Sequence, residues 1–302
     1  MLRVRLVDRP TPAQRAPIDH FLDEVALTDG APPLSDHLRL DLANGGAPGF
    51  VAAVAVGSDE GGHELGHPVG YAQGSAGNDS TSIEVVVHPD ADDRYAEIAA
   101  ALLAAVLDAV AGPVYWWVHG AGEVHERVAA AAGLVADRRL LQLRRTLPTG
   151  LDADVSTRPF VVGADEDAWL QVNNRAFAWH PEQGGWDRAT LEAREAEPWF
   201  DPDGFLLHER DARLAGFCWT KLHPATAVDP ELGEIYVIAV DPDFVGLGLG
   251  RSLTLAGLEA IAARGVTTGM LFVDAGNEPA VGLYTKLGFD THRVDVAYRR
   301  CS

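Results

Sequence analysis

Apolar and polar positions along this chain fall into the same order twice. The run Ile235-Tyr236-Val237-Ile238-Ala239-Val240 is β-branched and apolar, long enough to cross a sheet. Asp241-Pro242 ends it, because proline donates nothing to a ladder and turns the residue before it away from helix. A helix follows over Ser252 to Ala263, with Leu253, Leu255, Leu258 and Ile261 among its apolar positions. In the first half, Ile83-Glu84-Val85-Val86-Val87-His88-Pro89 repeats the strand and its terminating proline, and a helix over Ile98 to Val110 comes next. Each of these strands is preceded by one entered through glycine, Pro68 to Ala72 and Leu214 to Cys218. Each helix is followed by a central strand, Val114 to Val118 and Gly269 to Val273. A further helix then ends at Ala132-Gly133-Leu134 or Leu287-Gly288-Phe289, where glycine suits the residue just past a helix, and a strand closing on Arg-Arg completes each half. The pattern predicts an internally duplicated α/β chain, with copies at 1–147 and 150–302 and a short linker at Leu147-Pro148-Thr149-Gly150.

The copies differ between strand and helix. The second reads Val245-Gly246-Leu247-Gly248-Leu249-Gly250-Arg251, a glycine-rich turn at a helix start, where convergent N–H groups and the helix dipole suit a pyrophosphate. The spacing is neither that of a P-loop nor that of a dinucleotide fingerprint. The first copy reads Asp90-Ala91-Asp92-Asp93-Arg94 at the same place, with carboxylates that repel a phosphate and side chains that block the backbone approach. Chemistry is therefore expected in the second half, and a structural or substrate-covering role in the first.

Composition narrows the class. A chain of 302 residues, 47% hydrophobic and without low-complexity runs, is expected to be globular. No apolar run reaches membrane-spanning length and the first residues lack a signal-peptide core, so a cytoplasmic protein is expected, with no membrane partner. Cys218 and Cys301 make no disulfide framework. A net charge of −20 argues against nucleic acid, whose binding rests on neutralised phosphates. No histidine spacing suggests a metal site.

The glycine loop resembles the acetyl-CoA loop of the GNAT N-acetyltransferases, with Val245 and Leu247 in place of its usual polar residues. More discriminating stretches resemble the mycothiol synthase family, whose members are tandem GNAT proteins: Asn173 to Phe177, His180-Pro181-Glu182-Gln183-Gly184, Trp199 to Gly204, Gly216 to Lys221, Gly233-Glu234-Ile235-Tyr236-Val237 and Asn277 to Phe289. The resemblance implies two tandem GNAT domains, each a mixed central sheet flanked by helices. It implies transfer of an acetyl group from acetyl-CoA to the cysteine amine of cysteinyl-glucosaminyl-inositol, by a chain expected to be a monomer. A GNAT enzyme for another small amine or a peptide N-terminus, or an acyl-CoA-binding sensor without turnover, remains an alternative.

The family pattern also implies roles. An amine acceptor must lose a proton before it attacks a thioester, and Glu234, in a partly desolvated strand position on the face of Tyr236, Ile238 and Val240, is the expected base. Tyr284, on a helix that Asn277 can cap and Gly288 can end, matches the family's general acid. Asp36, Glu182, Lys221 and Phe272 match substrate-contacting positions, Phe272 replacing a tyrosine. Cofactor contacts are implied at Val85, Val86 and Val87, at Ile238, Ala239 and Val240, along Val245, Gly246, Leu247, Gly248, Leu249, Gly250 and Arg251, and at Asn277, Glu278, Pro279, Ala280, Val281 and Gly282.

Overall fold

Among the described residues, each half of the chain lays down ten strands and α-helices in one order, strand, two helices, three strands, helix, strand, helix, strand. The first half runs β1 (Leu2–Val7), α1 (Pro12–Asp29), α2 (Asp36–Ala43), β2 (Val51–Ser58), β3 (Glu64–Ala76), β4 (Thr81–Val87), α3 (Tyr95–Ala109), β5 (Val114–Val118), α4 (Glu123–Ala131) and β6 (Leu134–Thr146). The second runs β7 (Arg158–Pro159), α5 (Glu166–Ala176), α6 (Arg188–Glu195), β8 (Phe205–Arg210), β9 (Arg213–His223), β10 (Leu232–Val240), α7 (Leu249–Ala263), β11 (Thr268–Asp274), α8 (Glu278–Lys286) and β12 (Asp290–Arg300). The computed structural model describes residues 2–300 apart from 31, 59–63, 78, 179–182 and 227.

The compact units do not follow the halves 1–147 and 150–302. One unit holds Met1–Leu140 with Val294–Ser302, and the other holds Leu141–Arg293. In the first, β12 pairs antiparallel with β5, Val296 opposite Val118, and the order is β1-β2-β3-β4-β5-β12. In the second, the part of β6 from Leu141 to Thr146 takes the corresponding slot beside β11, in the order β6-β11-β10-β9-β8-β7, and the unit boundary cuts both β6 and β12. The closing strands repeat one pattern, so the sequence cannot say which slot each takes. Leu147 is no loose linker either, since it is buried and its amide donates to the Thr267 carbonyl at 2.8 Å.

Within the first unit, α1 and α2 pack Phe21, Val25 and Leu38 against Ala52, Val54 and Tyr71 on one face of the sheet. On the other face, Ile98, Leu102 and Val106 of α3 meet Ala53, Ala72 and Ile83. The second unit repeats this. Trp169 and Leu191, from α5 and α6, pack with Phe205, Phe217 and Trp219, while Leu253, Leu258 and Ile261 of α7 pack with Ile235, Leu271 and Val273. Close approach of α7 to the sheet depends on Gly257, where an added Cβ would lie 2.4 Å from Cys218 Sγ and 2.6 Å from Ile235 Cδ1. No helix among the described residues is long and apolar enough to cross a membrane.

Candidate active site

Asp241, buried at the end of β10, organises the turn that follows. Its carboxylate accepts from the Asp243 amide at 2.9 Å and from Arg175 of α5 at 2.9 Å, and Arg213 reaches Asp243 at 2.7 Å. The two arginines, Arg213 first, hold the Asp243 carboxyl below its ordinary range. Beyond this clamp the chain needs a left-handed backbone at Gly246 (φ 88°) and Gly248 (φ 78°), which residues with a Cβ adopt at a cost. Helix α7 starts at Leu249, and the amides of Gly246 to Arg251 carry no backbone hydrogen bond among the described residues. Helical N–H groups without partners and the positive end of the dipole therefore face the space over the turn. Val245 and Leu247 point outward, 69% and 52% exposed.

The matching turn of the first unit is closed. Pro89–Arg94 is wound into 3-10 turns, with the Asp90 amide on His88 Nδ1 at 3.2 Å and the Ala91 amide on the His88 carbonyl at 2.8 Å. Asp90, Asp92 and Asp93 stand exposed around it.

A second feature is a gap in the sheet. Parallel strands β10 and β11 pair through three rungs, Gly233, Glu234 and Ile235 opposite Gly269, Met270 and Leu271, and then diverge. Ile238, Ala239 and Val240 continue to pair with Cys218, Phe217 and Gly216 of β9, but have no strand partner on the β11 side among the described residues. Strands β4 and β5 diverge likewise after Glu84, leaving Val85, Val86 and Val87 beyond the last rung. An open strand edge is a row of backbone donors and acceptors able to pair with the amides of an extended ligand.

Between Ile235 and Val237 the register of β10 against β9 slips. A bulge of this kind re-aims side chains, and it corrects one expectation. Ile235, Ile238 and Val240 all pack on the α7 side, whereas Tyr236, Val237 and Ala239 pack on the α5 side. Glu234 therefore shares a face with Tyr236 but not with Ile238 or Val240.

Glu234 is buried, 7% exposed, and its Oε2 lies 2.7 Å from His223 Nε2 on β9. Lys221 is its register partner on β9, so the two share a face, and the Lys221 Nζ stands 4.5 Å from the centre of the Trp199 ring and 5.3 Å from that of Tyr236. Cation–π contacts of that length hold an ammonium without neutralising it. Phe272 follows Met270 by one alternation on β11 and is half-buried on the same face.

Tyr284 lies on the α7 side of the sheet. Helix α8 is capped by Asn277, whose side chain accepts from the Ala280 amide at 3.3 Å, and Glu278 to Gly282 form its opening turns. An added Cβ at Gly250 would meet Leu283 Cδ2 at 3.8 Å, so the first turns of α7 and α8 are neighbours. Tyr284 is buried edge-on to Phe289, and burial pushes its phenol well above the ordinary value. Asp36 belongs to the first unit, in the opening turn of α2 with Arg39 at 3.7 Å, and Glu182 lies outside the described residues.

Comparison with known proteins bears on this arrangement. The model of the acetyltransferase (GNAT) family matches residues 169–289. A mycothiol acetyltransferase of Thermobispora bispora is 43% identical over 99% of this chain and 100% of that protein. One from Thermomonospora curvata is 45% identical over 90% of this chain and 88% of its own length. This chain belongs to the mycothiol acetyltransferase family, within the GNAT acetyltransferases. Two solved structures share the fold across 99% of the chain, each with a TM-score of 0.66. They are a GCN5-related N-acetyltransferase from Sphaerobacter thermophilus, 20% identical and covered over 95% of its length, and a tandem GNAT protein from the clavulanic acid biosynthesis pathway, 16% identical and covered over 98%.

The candidate residues stand on two sides of the sheet. The open amides of α7 and the Tyr284 phenol lie on one side, and Glu234, Lys221 and Phe272 on the other, with the gap between β10 and β11 joining them. His223 is the residue the sequence reading missed. It lies two positions beyond Lys221 on β9, a period-2 spacing that puts both on one strand face.

Proposed function

We propose that the second unit moves the acetyl group of acetyl-CoA to the cysteine amine of cysteinyl-glucosaminyl-inositol, giving mycothiol. Acetyl transfer follows from family membership. The division of roles among residues rests on one observation, the gap where β10 leaves β11. The pyrophosphate of the cofactor lies over the amides of Gly246 to Arg251, flanked by Val245 and by Asn277 to Gly282, and its amide-bearing arm pairs with the free edge of Ile238, Ala239 and Val240. The thioester then reaches the gap, and the acceptor comes from the opposite face.

There Glu234 takes the proton of the acceptor ammonium, directly or through a water, and the freed nitrogen lone pair attacks the thioester carbon. The tetrahedral intermediate collapses, the carbon–sulfur bond breaks, the departing thiolate takes the Tyr284 proton, and the second proton shed by the nitrogen passes through solvent to restore the phenol. The high proton affinity that burial gives this phenol keeps it protonated across the neutral range, as a donor must be. Lys221, held by Trp199 and Tyr236, presents an ammonium to sugar hydroxyls. Glu182 is a further substrate contact, and Phe272 offers a ring without a hydroxyl. In the first unit, Val85 to Val87 leave an open edge, but the closed, acidic turn beside them supports a non-catalytic role.

The test is formation of CoA, separated by chromatography because the acceptor carries a thiol of its own. Rapid CoA release with cysteinyl-glucosaminyl-inositol, and slow release with free cysteine or glucosamine, is the expected result. Equal rates for all three, or none, would overturn the assignment.

A further inference from the structure

The reaction as proposed leaves His223 without a task, although it makes the only side-chain hydrogen bond to the base among the described residues, Nε2 to Glu234 Oε2 at 2.7 Å. His223 pairs with Leu232 at the start of the β9–β10 ladder and Glu234 pairs with Lys221, so imidazole and carboxylate meet on the diagonal of one sheet face. The imidazole is partly exposed and the carboxylate is buried, 28% against 9% by side chain. The pair thus links the interior base to solvent.

We infer that His223 is a positioning residue for Glu234, an inference that rests on Glu234 being the base. By donating from Nε2 to Oε2, the imidazole fixes the carboxylate plane and leaves Oε1 for the acceptor ammonium or its bridging water. The same bond makes the base sensitive to the charge of the imidazole. When a second proton enters the ring at Nδ1, His223 becomes a cation hydrogen-bonded to the carboxylate and lowers its basicity. A charged imidazole therefore slows proton abstraction, so the pH profile of the rate reports on His223.

The charged and titratable groups on the neighbouring elements do not replace this role. Lys221 on β9 is directed to the rings of Trp199 and of Tyr236 on β10. Arg144 on β6 is engaged bidentately by Asp229, ahead of β10, at 2.5 and 2.9 Å. His292 and Arg293 of β12 act on Asp229, and Asp274 on β11 accepts from the Gly276 amide at 2.8 Å. Glu197 sits beyond α6, on the segment that carries Trp199.

The experiment compares wild type with His223→Ala and His223→Gln, the latter keeping a donor that does not titrate. It measures kcat and both KM values from about pH 5.5 to 9, spanning the imidazole range. His223→Ala should lose roughly ten- to a hundredfold in kcat, the span expected for a misaimed catalytic group, with KM for acetyl-CoA unchanged. His223→Gln should recover most of kcat and move the acid limb to lower pH. The acceptor amine titrates identically with all three enzymes, so a limb that moves belongs to the protein. Wild-type behaviour in both variants overturns the inference. Equal losses with an unmoved limb also overturn it, because that outcome marks a packing role. Glu234→Gln runs alongside: if it keeps the rate, the base assignment itself has failed, which is a different result from an inert His223 beside an essential Glu234.

Discussion

Replacing Leu247 by arginine tests how the cofactor loop holds its anion. The loop departs from its family pattern at Val245 and Leu247, and both side chains stand in solvent, so the substitution sacrifices no core packing. A hydrogen bond to a charged group is worth roughly 1.5–3 kcal/mol when partly desolvated. An exposed ion pair is worth only about 0.2–1 kcal/mol. At 52% exposure Leu247 belongs near the second range. A gain of about 0.5–1 kcal/mol corresponds to a two- to fivefold lower Kd for acetyl-CoA. The gain is electrostatic, so it should shrink as the Debye length falls from about 10 Å at 0.1 M salt to about 3 Å at 1 M. Calorimetric titration of both proteins at low and high ionic strength reads this directly. No gain at either salt concentration would refute the placement of the pyrophosphate over Val245 to Arg251. An equal gain at both would refute its electrostatic origin.

Gly248→Asp should abolish turnover, because φ 78° strains any L residue and a carboxylate there repels the pyrophosphate, whereas Gly248→Ala should lose less, since its Cβ meets nothing within 4 Å. Changing Asp90, Asp92 and Asp93 together to asparagine should leave kcat nearly unaltered in the same CoA assay, and the reverse pattern would move the chemistry to the first unit. Asp229 is held below the ordinary carboxylate range chiefly by its hydrogen bonds to Arg144. Its contribution is complete above the unfolded value of about 4 and is lost as the pH falls through the lower folded value. Asp229→Asn should therefore cost roughly 1–3 kcal/mol at neutral pH, with the difference from wild type shrinking in acid, as denaturant melts at pH 7 and about pH 3 would show.

Much of this fold could be read from alternation and punctuation. The strand at Val114 to Val118 has the expected bounds, and α8 is capped by Asn277 and followed by Gly288 in a left-handed conformation, as the pattern of apolar residues and glycines requires. The glycine turn was legible because only glycine adopts its backbone cheaply. Three things were not legible. The places of β6 and β12 in the strand order depend on which of two similar closing strands fills a slot, and local pattern is the same for both. The bulge at Tyr236 reverses the facing of Ile238 and Val240 through a single extra residue, which an uninterrupted apolar run conceals. The His223–Glu234 bond joins residues eleven apart across a hairpin, and only the register aligns them.

The proposed chemistry stands most directly on Glu234. A carboxamide at that position keeps the shape and the hydrogen bond to His223 but cannot accept the acceptor's proton. The deciding measurement is kcat of Glu234→Gln with cysteinyl-glucosaminyl-inositol across about pH 6 to 9, the window in which an amine of this kind titrates. If Glu234 is the base, kcat falls by roughly 10²–10⁴, the span of a positioned general base, with acetyl-CoA binding intact. An unchanged kcat across that range would contradict it.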